Sequence, residues 1–198
     1  QSCRVYAEEI LSELGLANPR AVLRSYPFEL SGGMCQRIML AISLVNKPKL
    51  LISDEATAGL DVTLQADVLE RLKSLCKDFG TAILFISHDF AVVASIAHHV
   101  GVLYAGTMVE SAPVIDLFRK PTHPYTEAMM RALPRLDNPD KKLSSLPGAV
   151  PDVSKLSRKC PFIGRCSKPT MTCRSEPRPL LTNVEGSHYV ACYNPIVS

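Results

Sequence analysis

The sequence lacks several things at once. It has no strong charge of either sign: 22 Lys and Arg against 19 Asp and Glu leave +3, well short of the basic patch that marks a nucleic-acid binder. It has no convincing membrane span. The best candidate, residues 81–100, is interrupted by His88, Asp89, His98 and His99, whereas a spanning helix needs about 20 predominantly apolar residues. No secretory leader opens the chain, and Gln1 is not an initiator residue, so the true N-terminus is expected upstream. No internal repeat or low-complexity tract is visible. Proline is scarce at first: only Pro19, Pro27 and Pro48, of 15, precede position 113. That predicts regular structure in the first part and a turn-rich last third. No Gly-x4-Gly-Lys-Ser/Thr phosphate loop occurs anywhere. Gly101 and Gly106 have its glycine spacing, but Thr107-Met108 follow them.

What is present suits a globular chain. The 198 residues are 46% apolar and 21% charged, enough for one full domain and a small second one. The seven cysteines are uneven: Cys3, Cys35 and Cys76 are scattered, while Cys160, Cys166, Cys173 and Cys192 crowd the end. An odd total without an export signal argues against a general disulfide framework.

Apolar periodicity predicts helices over Val5–Leu16, Arg20–Tyr26, Met34–Val45, Val62–Phe79, Phe90–Ala97 and Tyr125–Ala132. Ser31 sits where a helix N-cap would sit, and Gly80 where a helix would stop. Leu50–Ser53 and Ala82–Ser87 read as buried strands, and Val100–Tyr104 with Met108–Glu110 as a hairpin. Strands alternating with helices predict an α/β fold with a mostly parallel sheet. Ligands bind such sheets beyond the carboxyl ends of the strands. Asp54-Glu55 and His88 lie at two such ends, distant in sequence but free to converge.

Three segments carry candidate chemistry. Ser31-Gly32-Gly33 opens a helix, and unpaired N–H groups at a helix N-terminus attract anions; the plainer reading is a capped turn. Asp54 offers a hard oxygen for Mg²⁺, and Glu55 a base for an attacking water; the plainer reading is an N-cap with a first-turn acid. His88 can donate to a phosphate oxygen, although a lone histidine is more often structural. His98 and His99 have no such context.

Taken together, Leu30-Ser31-Gly32-Gly33-x-x-Gln36-Arg37, the apolar run into Asp54-Glu55, Ala58-Gly59-Leu60-Asp61, and Ser87-His88-Asp89 resemble the ABC ATPase family in order and spacing, over roughly residues 1–115. In that family these are the signature motif, Walker B, the D-loop and the switch histidine. The resemblance implies the C-terminal part of a P-loop NTPase, acting on ATP with Mg²⁺. Asp54 would organise the metal, Glu55 would act as general base or orient the attacking water, and His88 would meet the γ-phosphate. Asp61 would communicate across a dimer interface. Ser31, Gly32, Gly33 and Gln36 belong to the nucleotide-binding set, the serine and glycines closing on ATP held by the opposing subunit. Ala56 stands where the family usually has proline, and Ser53 where it usually has an apolar residue; neither change removes a functional group. The phosphate loop, the glutamine loop and an adenine-stacking aromatic would lie before Gln1, so these residues alone are expected to be inactive.

The tail has the spacing C-x5-C-x6-C-x18-C. Structural zinc usually shows tighter pairs, and four thiolates can also bind an iron–sulfur cluster; spacing leaves free thiols, zinc and a cluster open. Arg158, Lys159, Arg165, Lys168, Arg174 and Arg178 surround these cysteines, either offsetting anionic sulfur or forming a solvated face. His123-Pro124-Tyr125-Thr126, Leu146-Pro147-Gly148, the four cysteines and Val190-Ala191-Cys192 are similar to the C-terminal extension of ATPase subunits from dipeptide and oligopeptide importers, with nickel importers sharing parts of it. Some of those subunits hold a [4Fe–4S] cluster there, which implies Cys160, Cys166, Cys173 and Cys192 as ligands.

The resulting expectation has three parts: a helical subdomain with the signature at 1–47, an ATPase core at 48–118 and the extension at 119–198. The function implied is the ATPase of a di- or oligopeptide importer, peripheral on the cytoplasmic face. A second ATPase subunit (a homo- or heterodimer) and two transmembrane permeases would be its partners, with a substrate-binding protein acting indirectly and no nucleic acid. Alternatives are a nickel-importer ATPase, a soluble non-transport ABC ATPase, and an iron–sulfur regulatory module.

Overall fold

The computed structural model describes residues 2–57, 61–133, 146–152, 154 and 156–196. The chain divides into two compact units, Gln1–Ile96 and Ala97–Ser198.

In the first unit, α1 (Cys3–Glu13) leads to α2 (Pro19–Val22), a 3₁₀ turn (Pro27–Glu29) and α3 (Gly32–Leu44). Then come β1 (Leu50–Asp54), α4 (Val62–Phe79), β2 (Ala82–Ile86) and α5 (Phe90–Ile96). The first helix is shorter than its apolar spacing predicts. Gly15 turns left-handed at φ +77° and lets Leu16 N–H reach back to Leu11 O at 3.0 Å, so Leu14 and Leu16 stay buried outside the helix. The second helix is also cut short. Pro27 disfavours helical geometry at Tyr26, which is extended at ψ 154°, and the turn restarts as 3₁₀. By contrast α4 spans its expected range. Asp61 caps its start, and Gly80 ends it at φ +65° with Thr81 N–H bonded to Cys76 O, a Schellman-type closure.

Strands β1 and β2 pair in parallel, with Asp54 opposite Ile86, and α4 supplies the long crossover that parallel strands require. One face of this ladder, with Leu51, Ile83 and Phe85, packs on a core that includes Ile10, Leu14, Leu44, Val68 and Leu72. The other face presents Leu50, Ile52, Leu84 and Ile86 at 53, 60, 50 and 44% exposure.

The second unit departs from the expected mostly parallel arrangement. Its sheet has the order β3-β4-β6-β5, with antiparallel neighbours. Here β3 is His99–Tyr104, β4 Thr107–Pro113, β5 Thr182–Glu185 and β6 His188–Val190. Ala105 and Gly106 both take positive φ, at 46° and 73°, and close the hairpin expected at Val100–Tyr104 and Met108–Glu110; β6 and β5 extend it by antiparallel pairing. Helices α6 (Val114–Arg119), α7 (Pro124–Arg131) and α8 (Met171–Ser175) complete the unit. Its core is aromatic. Tyr104 and Tyr125 stand 4.7 Å apart, and Phe162 lies 5.2 and 5.4 Å from them.

Leu72 is fully buried in the core of the first unit. Leu72→Ala should therefore cost about 2–5 kcal/mol, read as a lower urea midpoint at unchanged slope; a midpoint like that of the parent would contradict this packing.

Candidate functional site

Ser31 caps α3 as its position suggests, its Oγ accepting the Met34 N–H at 3.3 Å. Gly32 and Gly33 form the first turn. Neither has a positive φ, and a Cβ at Gly32 would meet nothing within 4 Å. The fold of this chain does not itself require glycine at position 32. Arg37 anchors the turn from below: Nε donates to Gly33 O at 3.2 Å and Nη1 to Gly15 O at 2.7 Å. Gln36 lies on the same helix, partly buried.

Glu55 and His88, 33 residues apart, meet at the ends of β1 and β2. Glu55 leaves the strand in a left-handed conformation, φ 49°, while its N–H still donates to Ile86 O at 3.0 Å. That bend turns its carboxylate toward the loop after β2. Oε1 accepts from His88 N–H at 3.1 Å and lies 2.8 Å from His88 Nδ1. The Glu55 carboxylate raises the imidazole pKa above its ordinary value, first through this hydrogen bond and then through charge attraction, with a smaller push from Asp89. The His88 side chain is 83% exposed, so its far nitrogen has room for a ligand. Neighbouring Asp54, at the end of β1, is exposed.

Asp61 does something local: Oδ1 accepts the Leu64 N–H at 2.9 Å and caps α4. Ala58, Gly59 and Leu60, the rest of that motif, lie outside the described residues. Two supporting residues escaped the sequence reading. Gln65, one turn into α4, donates through Nε2 to Thr57 O and Oγ1 at 3.3 and 3.1 Å, holding the segment after Glu55. Asp89 Oδ1 accepts from Ala91 and Val92 N–H and so fixes the start of α5 behind His88. Only a helix-phase argument tying Gln65 to the preceding loop could have found the first. Among the described residues no hydrogen bond or ion pair joins Ser31, Gly32 or Gly33 to Glu55 or His88; these are separate places in the first unit.

In the second unit, Cys160, Cys166, Cys173 and Cys192 line one recess with His123 and Phe162. All four thiols are free. Burial pushes Cys160 up and Cys192 up to about 11, and mutual repulsion among the thiols adds to this. Among the described residues no group of three or more His, Cys, Asp or Glu is placed to hold a metal ion. What the structure supplies is convergence of four soft donors with no carboxylate among them. In kind, such sulfur donors are the ones that soft metals take. The basic collar is partly committed elsewhere. Arg165 donates to Pro147 O, Leu146 O and Tyr104 Oη, and Lys159 Nζ to Arg174 O.

No helix among the described residues is long and apolar enough to cross a membrane. The ABC transporter family matches residues 2–58, and the family described as "Oligopeptide/dipeptide transporter, C-terminal region" matches residues 109–173. The chain is 44% identical over 193 residues to the oligopeptide transport ATP-binding protein AppD of Bacillus subtilis, covering 98% of this chain and 58% of that protein. It is 40% identical over 193 residues to the dipeptide transport ATP-binding protein DppD of Escherichia coli, covering 98% and 59%. A probable peptide ABC transporter ATP-binding protein of Sinorhizobium fredii is 44% identical over 188 residues, covering 94% and 56%. The chain thus spans a little over half the length of these relatives. On these two matches and these identities, it belongs to the ABC transporter ATP-binding family, in its oligopeptide and dipeptide group.

Proposed function

We propose that this chain is part of the ATP-hydrolysing subunit of a di- or oligopeptide importer, peripheral on the cytoplasmic face of a membrane. It would pair with a second ATPase subunit and act on two permease subunits. The observation that carries this reading is the Glu55–His88 pair at the carboxyl ends of two parallel strands. Glu55 is the base that takes a proton from the attacking water. His88, held through Nδ1, keeps Nε2 for a γ-phosphate oxygen. Asp54 would hold Mg²⁺, which would supply positive charge against the phosphates. Phosphoryl transfer depends on positioning and electrostatics, and the left-handed bend at Glu55 is a positioning device.

Ser31, Gly32, Gly33 and Gln36 serve a second nucleotide, the one held by the partner subunit. The open space around Gly32 supports this, since the missing side chain leaves room for something outside the chain. Asp61 sits at the partner interface while capping α4. Peptides are favoured over nickel as cargo because the named relatives are peptide transporters.

Cys160, Cys166, Cys173 and Cys192 are the ligands of a [4Fe–4S] cluster, which would supply a redox-active, iron-bound cross-link for the tail. The convergence of the four free thiols supports the assignment. Anaerobic reconstitution of the subunit with iron and sulfide should give a brown protein with four irons per chain; zinc without iron would replace the cluster with a zinc site.

In the assembled transporter, Glu55→Gln should lower ATP turnover about 10²–10⁴-fold and leave nucleotide binding intact. Turnover equal to the parent would remove Glu55 from the mechanism. The same variant should also lower the His88 pKa toward the ordinary histidine value. In the native pair that pKa is raised, so the charged contact is complete below the ordinary value and is lost as pH rises through the raised one. An imidazole titration by NMR that is identical in both proteins would show that Glu55 does not hold His88.

A further inference from the structure

Glu55 leaves β1 at φ 49°, a conformation that a residue with a Cβ keeps only where its surroundings hold it. The upstream side of this bend is anchored by the Glu55 N–H on Ile86 O. The downstream side is anchored at Thr57, by a side chain from another element. Thr57 is 3% exposed, so its carbonyl is largely shut off from water and needs a donor. Gln65 Nε2 supplies one, 3.3 Å from Thr57 O, and also donates to Thr57 Oγ1 at 3.1 Å. A carbonyl only accepts, so the amide must present its nitrogen, whose two protons can serve both oxygens. Gln65 is itself fixed. Its N–H donates to Asp61 O at 2.8 Å, Asp61 caps the same turn, and α4 continues into buried Val68, Leu69 and Leu72.

We propose that Gln65 is a positioning residue for ATP hydrolysis: it holds Thr57, and through Thr57 the bend that aims the Glu55 carboxylate. It acts through the backbone of its own chain, not on the substrate. With the donor gone, two oxygens of a buried residue lose their partner, and the segment must move to satisfy them again. Movement there turns Glu55 away from His88 and from the attacking water, so the loss falls on the chemical step and not on nucleotide binding. The proposal rests on the reading of Glu55 given above.

The test uses the complete subunit, assembled with its permeases for turnover and alone for NMR. Gln65→Met keeps the side-chain length and removes the donor. It should lower kcat by up to about 10²-fold, the cost of misplacing a reacting group by about 1 Å, with KM for ATP unchanged. It should also bring the His88 imidazole titration down toward the ordinary histidine value, because the Glu55 hydrogen bond is the main cause of the raised one. Arg71→Met removes a different α4 contact, Nη1 to Glu13 O at 3.1 Å, and should lower stability without either change. A parent-like kcat in Gln65→Met would overturn the proposal, and so would a lower kcat with the His88 titration unmoved, since the bend would then have held. The same loss and shift in Arg71→Met would assign them to α4 as a whole and overturn it too. Should Gln65→Met fail to fold, Gln65→Glu, which keeps the shape and has no proton to give when ionised, decides by the same readouts. Glu55→Gln separates the two readings. If it turns over ATP like the parent, the role of Glu55 falls and this proposal with it; if only Gln65→Met does, Glu55 keeps its role and Gln65 loses its own.

Discussion

The parallel register of β1 against β2 is the constraint on which the first unit depends. Asp54 pairs with Ile86, so both strands end at the same level and their following loops start side by side. Successive residues alternate faces, and a slip of one residue would reverse every side chain. Leu51 would then leave the core, and Glu55 would lose the Ile86 carbonyl that anchors its N–H. The left-handed bend at Glu55 costs about 1–2 kcal/mol for a residue with a Cβ. It persists because the ladder fixes one side of the bend, the Gln65–Thr57 bonds fix the other, and His88 holds the carboxylate. Strain of this sort gathers where a side chain must be aimed.

The second unit turns on a different interaction, a carboxylate with no exposed surface. Glu110 is fully buried on β4. It accepts from Thr122 N–H at 2.6 Å, His123 N–H at 2.9 Å and His188 Nε2–H at 2.7 Å. A buried charge is tolerable only when it is paired and its oxygens are satisfied. Here the three donors come from the segment before α7 and from β6. One side chain thereby joins the hairpin, the His-Pro-Tyr-Thr turn and the last strand. The thiol recess sits downstream of this joint: Cys192 follows β6 directly, and His123 takes its place on the wall from Glu110.

The local parts of this architecture were legible in the sequence because local chemistry decides them. The full length of α4 follows from its apolar period and from Gly80, and the α3 cap follows from a serine before two glycines. Pairings between distant residues were less legible. Glu110 reads as an ordinary polar residue ending a strand, since nothing nearby reveals the three donors that arrive from positions 122, 123 and 188. The β5–β6 hairpin was missed although alternation across Thr182–Val190 and the glycine at 186 mark it; the proline-rich setting suggested turns throughout. Glu55 and His88 could be placed at strand ends from sequence, but their bond required the register. The positive φ at Glu55 had no sequence signal, because glutamate gives none.

The two parts of the candidate ATP site differ in what holds them, and that difference bears on how they work. Glu55 and His88 are fixed by contacts inside the chain, so their geometry exists before any partner arrives. The turn at Ser31–Gly33 is also held, capped by Ser31 and braced by Arg37, yet nothing among the described residues comes within 4 Å of where a Cβ on Gly32 would stand. A glycine required by its own fold shows a positive φ or a crowded Cβ, and Gly32 shows neither. Among the described residues, then, no steric demand explains its lack of a side chain. The proposed division of the site follows this contrast: Glu55 and His88 are held from within the chain, and the Ser31–Gly33 turn would serve a nucleotide held by a partner.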